Sequence, residues 1–330
     1  MKAIALFSGG LDSTLAIKII TEQGVDVVAL NFFTPFCCCE RSKGCGSLIK
    51  EMADQLGVKL KMVYLGQEYL DMIKNPDHGY GKNLNPCIDC RIFKFKRAKE
   101  VMLEEGASFV ITGEVLGQRP MSQHRQALRT IERETGLEGL VLRPLSAKLF
   151  SPTLAEEQGW VKREDLLNIS GRTRKPQIRL ASNWGIKNYP CPAGGCLLTD
   201  SNFCQRLKDL LKHEEVNINN AELLKLGRHF RLGPKFKLIV GRDEKENQKI
   251  LNLAQQGDFC FESRDLPGPT GIGRGQLDES IKILSAQIIA RYTSQEEKVD
   301  VLVKTISQPQ QEVLSVKAIG EEKIKKYMIL

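Results

Sequence analysis

Ten cysteines stand in this sequence, most of them in groups: Cys37, Cys38, Cys39 and Cys45; Cys87 and Cys90; Cys191 and Cys196. Thiolates bind soft metals and attack electrophiles. Clustered cysteines in a chain with no export signal therefore point to metal or redox chemistry rather than to a disulfide framework. Cys87-Ile88-Asp89-Cys90 opens a helix-like segment. A helix N-terminus and Arg91 favour thiolate there, and the spacing lets both sulfurs face one metal. The distal pair Cys191-Pro192-Ala193-Gly194-Gly195-Cys196 supplies a third ligand or a fourth. Four thiolates suit zinc or an iron–sulfur cluster, and three leave one iron open. The adjacent Cys37, Cys38 and Cys39 cannot easily all reach one ion; a second metal site and a sulfur relay stay open for them. Cys204 and Cys260 stand alone and read as small buried hydrophobes.

A second chemistry begins at Ser8-Gly9-Gly10-Leu11-Asp12-Ser13. Two glycines allow a tight turn that brings backbone N–H groups against phosphate oxygens, and the following helix adds partial positive charge. Ser8 and Ser13 offer hydroxyls, and Asp12 can orient Mg2+ or the loop itself. No GK[ST] follows, so the Walker pattern is excluded.

These residues need elements to hold them. Ala3–Phe7 is an apolar run that fits a strand buried on both faces. A helix with Leu15, Ala16, Ile19 and Ile20 on one side follows, then Val25–Phe32 as strand, Ser47–Leu56 as helix and Leu60–Leu65 as strand. Arg91–Glu105 reads as helix, Phe109–Thr112 as strand and Val141–Leu145 as a fifth strand. Repeated βαβ units predict an α/β fold with a doubly wound parallel sheet. Basic residues gather between Val161 and Lys187, the plainest reading being a solvated loop. Regular patterning resumes with Phe236–Val240 as strand, Glu244–Gln256 as helix and Gln276–Arg291 as a long helix, which predicts a second, smaller α+β domain. The expected division is a catalytic domain over 1–200, a linker over 201–225 and a second domain over 226–330.

The length of 330 residues accommodates two cores. The net charge of +8 favours a polyanionic partner without identifying one. No run approaches the ~20 apolar residues of a membrane helix. The apolar start is interrupted too early for a signal peptide, so no membrane and a cytoplasmic location are expected.

Ser-Gly-Gly-x-Asp-Ser after the first strand resembles the PP-loop of N-type ATP pyrophosphatases, an adenine nucleotide alpha hydrolase-like fold. Those enzymes cleave ATP between its α and β phosphates and transfer AMP to a substrate oxygen. The resemblance implies ATP and Mg2+ at Ser8, Gly9, Gly10, Leu11, Asp12 and Ser13, with Asn31 and Gly113 beside the nucleotide. Asn85-Pro86-Cys87-x-x-Cys90-Arg91 looks like the cysteine loop of tRNA 2-thiouridylases. Thr112-Gly113-Glu114-Val115-Leu116-Gly117-Gln118, with Ser122-Gln123, looks like the 4-thiouridine tRNA sulfurtransferases. Both groups adenylate a uridine carbonyl and insert sulfur. The resemblance implies a 4Fe–4S cluster on Cys87, Cys90 and Cys196, catalytic roles for Cys87, Cys196 and Asp12, and tRNA as partner. A sulfur donor is implied too, either sulfide or a cysteine desulfurase system. Structural zinc or a persulfide pair without metal remain the alternatives.

From Leu226 to Thr305, Gly241-Arg242-Asp243, Arg264–Pro269 and Ala290-Arg291-Tyr292 resemble the NFACT-R RNA-binding domain, departing at Phe261-Glu262, where that family often has an aromatic–His pair. On this reading Lys235, Lys237, Arg242, Arg264 and Arg274 contact phosphates, with Lys94, Lys96, Arg97 and Lys99 behind the cysteine loop as further contacts. Two other readings are a PP-loop ligase acting on a small molecule and a non-enzymatic RNA-binding factor. The target uridine, the base oxygen, the sulfur donor's identity and the oligomeric state are not set by the sequence.

Overall fold

The computed structural model describes residues 1–37, 45–186, 189, 196–293, 298–308 and 310–330. Cys38, Cys39 and Cys191 lie outside them. The chain divides into two compact units, Met1–Cys196 and Leu197–Leu330.

The first unit runs β1 (Lys2–Leu6), α1 (Leu11–Thr21), β2 (Asp26–Phe33), α2 (Cys45–Gln55), β3 (Lys59–Tyr64), α3 (Gln67–Lys74), α4 (Cys87–Glu104), β4 (Phe109–Thr112), α5 (Arg125–Thr135), β5 (Val141–Leu142), α6 (Leu154–Glu157) and α7 (Lys175–Asn183). Its five strands are parallel, in the order β3-β2-β1-β4-β5. Side chains alternate along β1: Ala3 and Ala5 pack with Leu15, Ile19 and Ile20 of α1, while Ile4 packs with Phe95, Ala98 and Met102 of α4. Helices thus cover both faces, which is why the central strand reads as an unbroken apolar run. β1 lies between β2 and β4, so the strand order reverses there. In open α/β sheets, ligands bind outside the carboxyl ends of strands at that reversal. Those ends carry Ser8–Gly10 after β1, Asn31–Thr34 at and after β2, and Gly113 after β4.

The second unit runs α8 (Ser201–His213), α9 (Ile218–Leu223), β6 (Arg228–Gly233), β7 (Phe236–Val240), α10 (Glu244–Asn252), β8 (Phe259–Ser263), β9 (Gly271–Gly275), α11 (Glu279–Arg291), β10 (Val299–Thr305), β11 (Gln311–Val316) and α12 (Glu321–Lys325). Its strands form an antiparallel sheet, β11-β10-β8-β9-β7-β6. Phe236 and Leu238 of β7 pack with Ile288 and Ile289 of α11, while Ile239 joins Leu223 of α9 and Ile250 of α10.

The segment expected as a linker, 201–225, is built as α8 and α9. Asp200 caps α8 by accepting from Phe203 N at 2.7 Å, and Asn217 caps α9 by accepting from Asn220 N at 2.8 Å. Polar ties hold both helices to the sheet. Arg231 donates to Asp209 at 2.6 Å and to Glu214 at 2.6 Å, and Arg274 donates to Asn219 at 2.8 Å. Their apolar face, with Phe203, Leu207, Leu210 and Leu223 buried, needs a partner and so belongs to a folded core.

Candidate functional site

The nucleotide loop is shaped by its own side chains. Gly9 takes φ +72°, which only glycine adopts at little cost, and Gly10 caps α1 with no side chain covering the helix end. Ser13 Oγ donates to Gly10 O at 2.9 Å and Thr14 Oγ1 to the same carbonyl at 3.1 Å. Ser8 N donates to Ser13 Oγ at 3.3 Å, closing the loop. Leu11 is buried and anchors the first turn. This leaves a glycine turn on an uncapped helix N-terminus, the arrangement that holds anions.

Asn31 and Gly113 lie close to this loop. Asn31 Nδ2 donates to Phe7 O at 2.7 Å, while its buried Oδ1 has no protein partner and is available to a ligand. A Cβ on Gly113 would fall 2.4 Å from Ser13 N and 2.5 Å from Asp12 C, so glycine is required for β4 to approach α1. Asp12 receives Gln118 Nε2 at 3.2 Å and Arg174 Nη2 at 3.1 Å, and its buried Oδ1 has no protein partner. That oxygen is placed to take a cation or a polar ligand group.

The cysteines gather around one phenol. Tyr69 is buried on α3 and donates its hydroxyl to Cys90 Sγ at 3.1 Å. Burial, and then the neighbouring Cys90, Cys196 and Cys37 sulfurs, push that phenol well above its ordinary range, so it stays a protonated donor. Cys196 and Cys37 face each other in an isolated antiparallel bridge. Cys87 Sγ donates to Asn85 Oδ1 at 3.0 Å. Its thiol was expected to ionise readily at the helix start. Instead burial and Cys90 push it up, and Arg91 and Arg119 only partly offset this. Partial burial of the first turn outweighs the helix end.

Cations join the two halves of the site. Arg119 lies among Cys87, Asp12, Arg91 and Arg174. Desolvation and then Arg91 and Arg174 lower it from its ordinary value, although the residue as a whole is exposed. Arg91 pairs with Glu114 at 3.3 Å, and Arg143 Nε donates to Glu114 at 3.1 Å and also pairs with Glu132. Glu114 is 1% exposed, so this network fixes α4 against the end of β4 in a water-poor setting where such pairs are rigid. His78 bridges Asp89 at 3.0 Å and Glu134 at 3.2 Å, tying the segment before Cys87 to α4 and α5.

Sequence reasoning did not find Tyr69, Arg119 or Arg174 as site residues. Arg119 follows directly on the quoted Gly117-Gln118 motif, which was a usable signal. Arg174 stood only within a basic loop, and nothing local marks Tyr69. Some expected RNA contacts are committed elsewhere. Lys99 Nζ caps the C-terminus of α5 through Thr135 O and Gly136 O. Lys237, 2% exposed, faces Asp209 at 3.4 Å, and Arg274 is held by Asp258 at 2.6 Å. Both point into the layer under α8 and α9, where alternation along the strand turns them from solvent. Lys235 and Arg264 remain exposed. Cys204 and Cys260 are buried, and burial pushes the Cys260 thiol up to about 12.

Among the described residues, no three His, Cys, Asp or Glu side chains close on a single metal ion, and no helix is long and apolar enough to cross a membrane. The donor set around Tyr69 is nonetheless all thiol, which fits the chemistry of an iron–sulfur cluster.

A parallel sheet reversing at β1, with Ser-Gly-Gly-x-Asp-Ser at the reversal, defines a PP-loop protein of the adenine nucleotide alpha hydrolase-like fold. The family described as "Thiamine biosynthesis protein (ThiI)" matches residues 1–148, and "NFACT protein RNA binding domain" matches residues 227–328. The chain thus pairs a region similar to the ThiI family with a C-terminal region similar to the NFACT RNA-binding domain. It is similar to the tRNA-specific 2-thiouridylase MnmA of Listeria monocytogenes serotype 4a (strain HCC23), 24% identical over 276 residues, with 75% of this chain and 70% of the relative covered. The protein of the same name from Thiobacillus denitrificans (strain ATCC 25259 / T1) is 23% identical over 300 residues, covering 84% and 80%. Among solved structures, the U34-tRNA thiolase NcsA from Methanococcus maripaludis, with its 4Fe–4S cluster, shares 19% identity. It covers 67% of this chain and 70% of that one at a TM-score of 0.34, a superposition too loose to bear on the site.

Proposed function

We propose that this chain is an ATP-dependent tRNA sulfurtransferase: it adenylates a uracil carbonyl of tRNA and replaces the activated oxygen with sulfur. The observation that carries the reading is that Gly113, packed on the backbone of Asp12 and Ser13, is followed by Glu114, which pairs at 3.3 Å with Arg91, the residue after Cys90. On this reading activation and sulfur insertion take place side by side.

Gly9, Gly10 and Ser13 hold the phosphates through the uncapped helix end, and Asp12 orients Mg2+ with its unpartnered oxygen. Arg119 and Arg174 stand where charge develops as a uridine oxygen attacks the α-phosphate and pyrophosphate leaves. Adenylation turns a poor leaving group into AMP. Cys87, Cys90 and Cys196 would hold a 4Fe–4S cluster, which supplies an open iron for sulfur when bound. Tyr69, kept protonated, donates to Cys90 and stabilises negative sulfur beside it. The target base must leave its stack, at a cost of a few kcal/mol, so backbone contacts elsewhere are needed. The C-terminal domain supplies them through exposed cations such as Lys235 and Arg264. The donor is sulfide or a desulfurase-borne persulfide, and the reaction belongs to the cytoplasm, where tRNA and ATP are abundant.

The test is pyrophosphate release with and without tRNA, alongside mass analysis of nucleosides from the treated tRNA and iron and sulfide assays on anaerobically purified protein. tRNA-dependent pyrophosphate with a new thiouridine is expected. Cys87→Ala should keep pyrophosphate release and lose thiouridine. Pyrophosphate release independent of tRNA would point to a small-molecule ligase, and none at all to a binding factor.

A further inference from the structure

Cys37 has no part in the reaction as derived, yet it stands within the site. It follows β2 and opposes Cys196 in an isolated antiparallel bridge. Residues opposed in this way have Cα atoms about 4.5–5.5 Å apart with side chains on one side of the pair. Thr34 turns back on the sulfur: its N–H donates to Cys37 Sγ at 3.4 Å, and its hydroxyl lies at 3.4 Å from the same atom. Phe36, one residue earlier, packs against Tyr69 with ring centroids 6.3 Å apart. Tyr69 in turn holds Cys90. The Cys37 side chain is only half-buried, so a small sulfur carrier can reach it. One thiol therefore combines access from outside, donors that stabilise negative sulfur, and a position across from Cys196.

We propose that Cys37 is where sulfur enters the site, carried as a persulfide and released beside Cys196. The proposal rests on the thiolation reading. In loading, the Cys37 thiolate attacks the outer sulfur of a donor persulfide R–S–SH. The donor's S–S bond breaks, RS− leaves, and the Cys37 persulfide forms, with no net oxidation or reduction. In unloading, a cellular dithiol reduces it. The products are the free Cys37 thiol, the cyclic disulfide of the dithiol and hydrogen sulfide; the sulfane sulfur gains two electrons and the dithiol loses them. Hydrosulfide then appears next to the activated carbonyl. The Thr34 donors serve the loading step, because they stabilise the thiolate that attacks and the persulfide anion that follows.

The full-length protein, reduced and desalted, is treated with glutathione persulfide carrying 34S at its outer position, then alkylated and mapped by mass spectrometry. Label is expected on Cys37 in the unaltered protein and in the Cys38→Ser and Cys39→Ser variants, and is lost in Cys37→Ser. Label confined to Cys87 or Cys196, or undiminished in Cys37→Ser, overturns the assignment. Loaded, desalted protein is then given ATP, tRNA and a dithiol for a single turnover. The unaltered protein should pass 34S into thiouridine, and Cys37→Ser should pass at least about tenfold less. Excess sodium sulfide should rescue Cys37→Ser; failure of that rescue would make Cys37 part of the chemistry or the fold and refute a loading role. If neither sulfur source yields thiouridine with the unaltered protein, the thiolation reading falls, and the label map still decides Cys37.

Discussion

Replacing Gly113 with alanine should disable ATP binding while leaving the fold in place. The added Cβ would lie 2.4 Å from Ser13 N, 2.5 Å from Asp12 C and 2.6 Å from Asp12 O. Ordinary contact begins about 1 Å further out, and all three atoms are backbone, so no flexible side chain can swing aside. The first turn of α1 must move by roughly that amount relative to β4. A phosphate hydrogen bond needs about 2.7–3.2 Å between heavy atoms, so a displacement of about 1 Å opens it. Losing one charge-assisted bond costs about 1.5–3 kcal/mol, which is about 10–150-fold in affinity. Strain of this kind typically costs about 1–3 kcal/mol in stability, a loss a folded domain survives. Titration calorimetry with ATP, beside a circular-dichroism melt, reads both quantities. An alanine variant that binds ATP within about twofold of the unaltered protein would refute the claim that the Gly113 contact sets the loop.

Other outcomes follow from the same geometry. Asp209→Ala leaves Arg231 and Lys237 sharing Glu214 in a buried layer, and urea unfolding should show a loss of about 3–5 kcal/mol; Lys237→Met, which removes the buried charge itself, should cost far less. In RNA binding, Lys235→Ala and Arg264→Ala should each flatten the salt dependence by about one phosphate contact, whereas Lys237→Met should leave it unchanged. His78 is raised from 6.5 chiefly by its hydrogen bond to Asp89. Its stabilising contribution is therefore full below 6.5 and fades as pH climbs through the raised value; an NMR titration should show a midpoint above 6.5 that falls back in Asp89→Asn. Iodoacetamide at about pH 8 should spare Cys260, whose thiol is pushed up to about 12 by burial.

Patterns confined to neighbouring residues were readable from the sequence. The apolar runs of β1, β2 and β4, the two glycines before α1 and the Cys-x-x-Cys at the start of α4 each carry their meaning within a few positions, because strand period, turn geometry and helix starts are local properties. From these came the parallel sheet, the nucleotide loop and the pairing of sulfur chemistry with ATP. Boundaries were less legible: α8 and α9 read as a linker because their burial depends on a sheet that follows them in the chain. The fate of each charge was decided only by tertiary structure. Lys237 and Lys235 look alike in the sequence, but Lys237 lies inside β7, where it is buried against Asp209, whereas Lys235 sits in the turn before β7 and stays in solvent. Tyr69, Arg119 and Cys37 come near the site only because the crossovers of the sheet bring the ends of β1, β2, β3 and β4 together. Charge neutralisation and the convergence of distant loops depend on distances in space, which residue spacing along the chain does not encode.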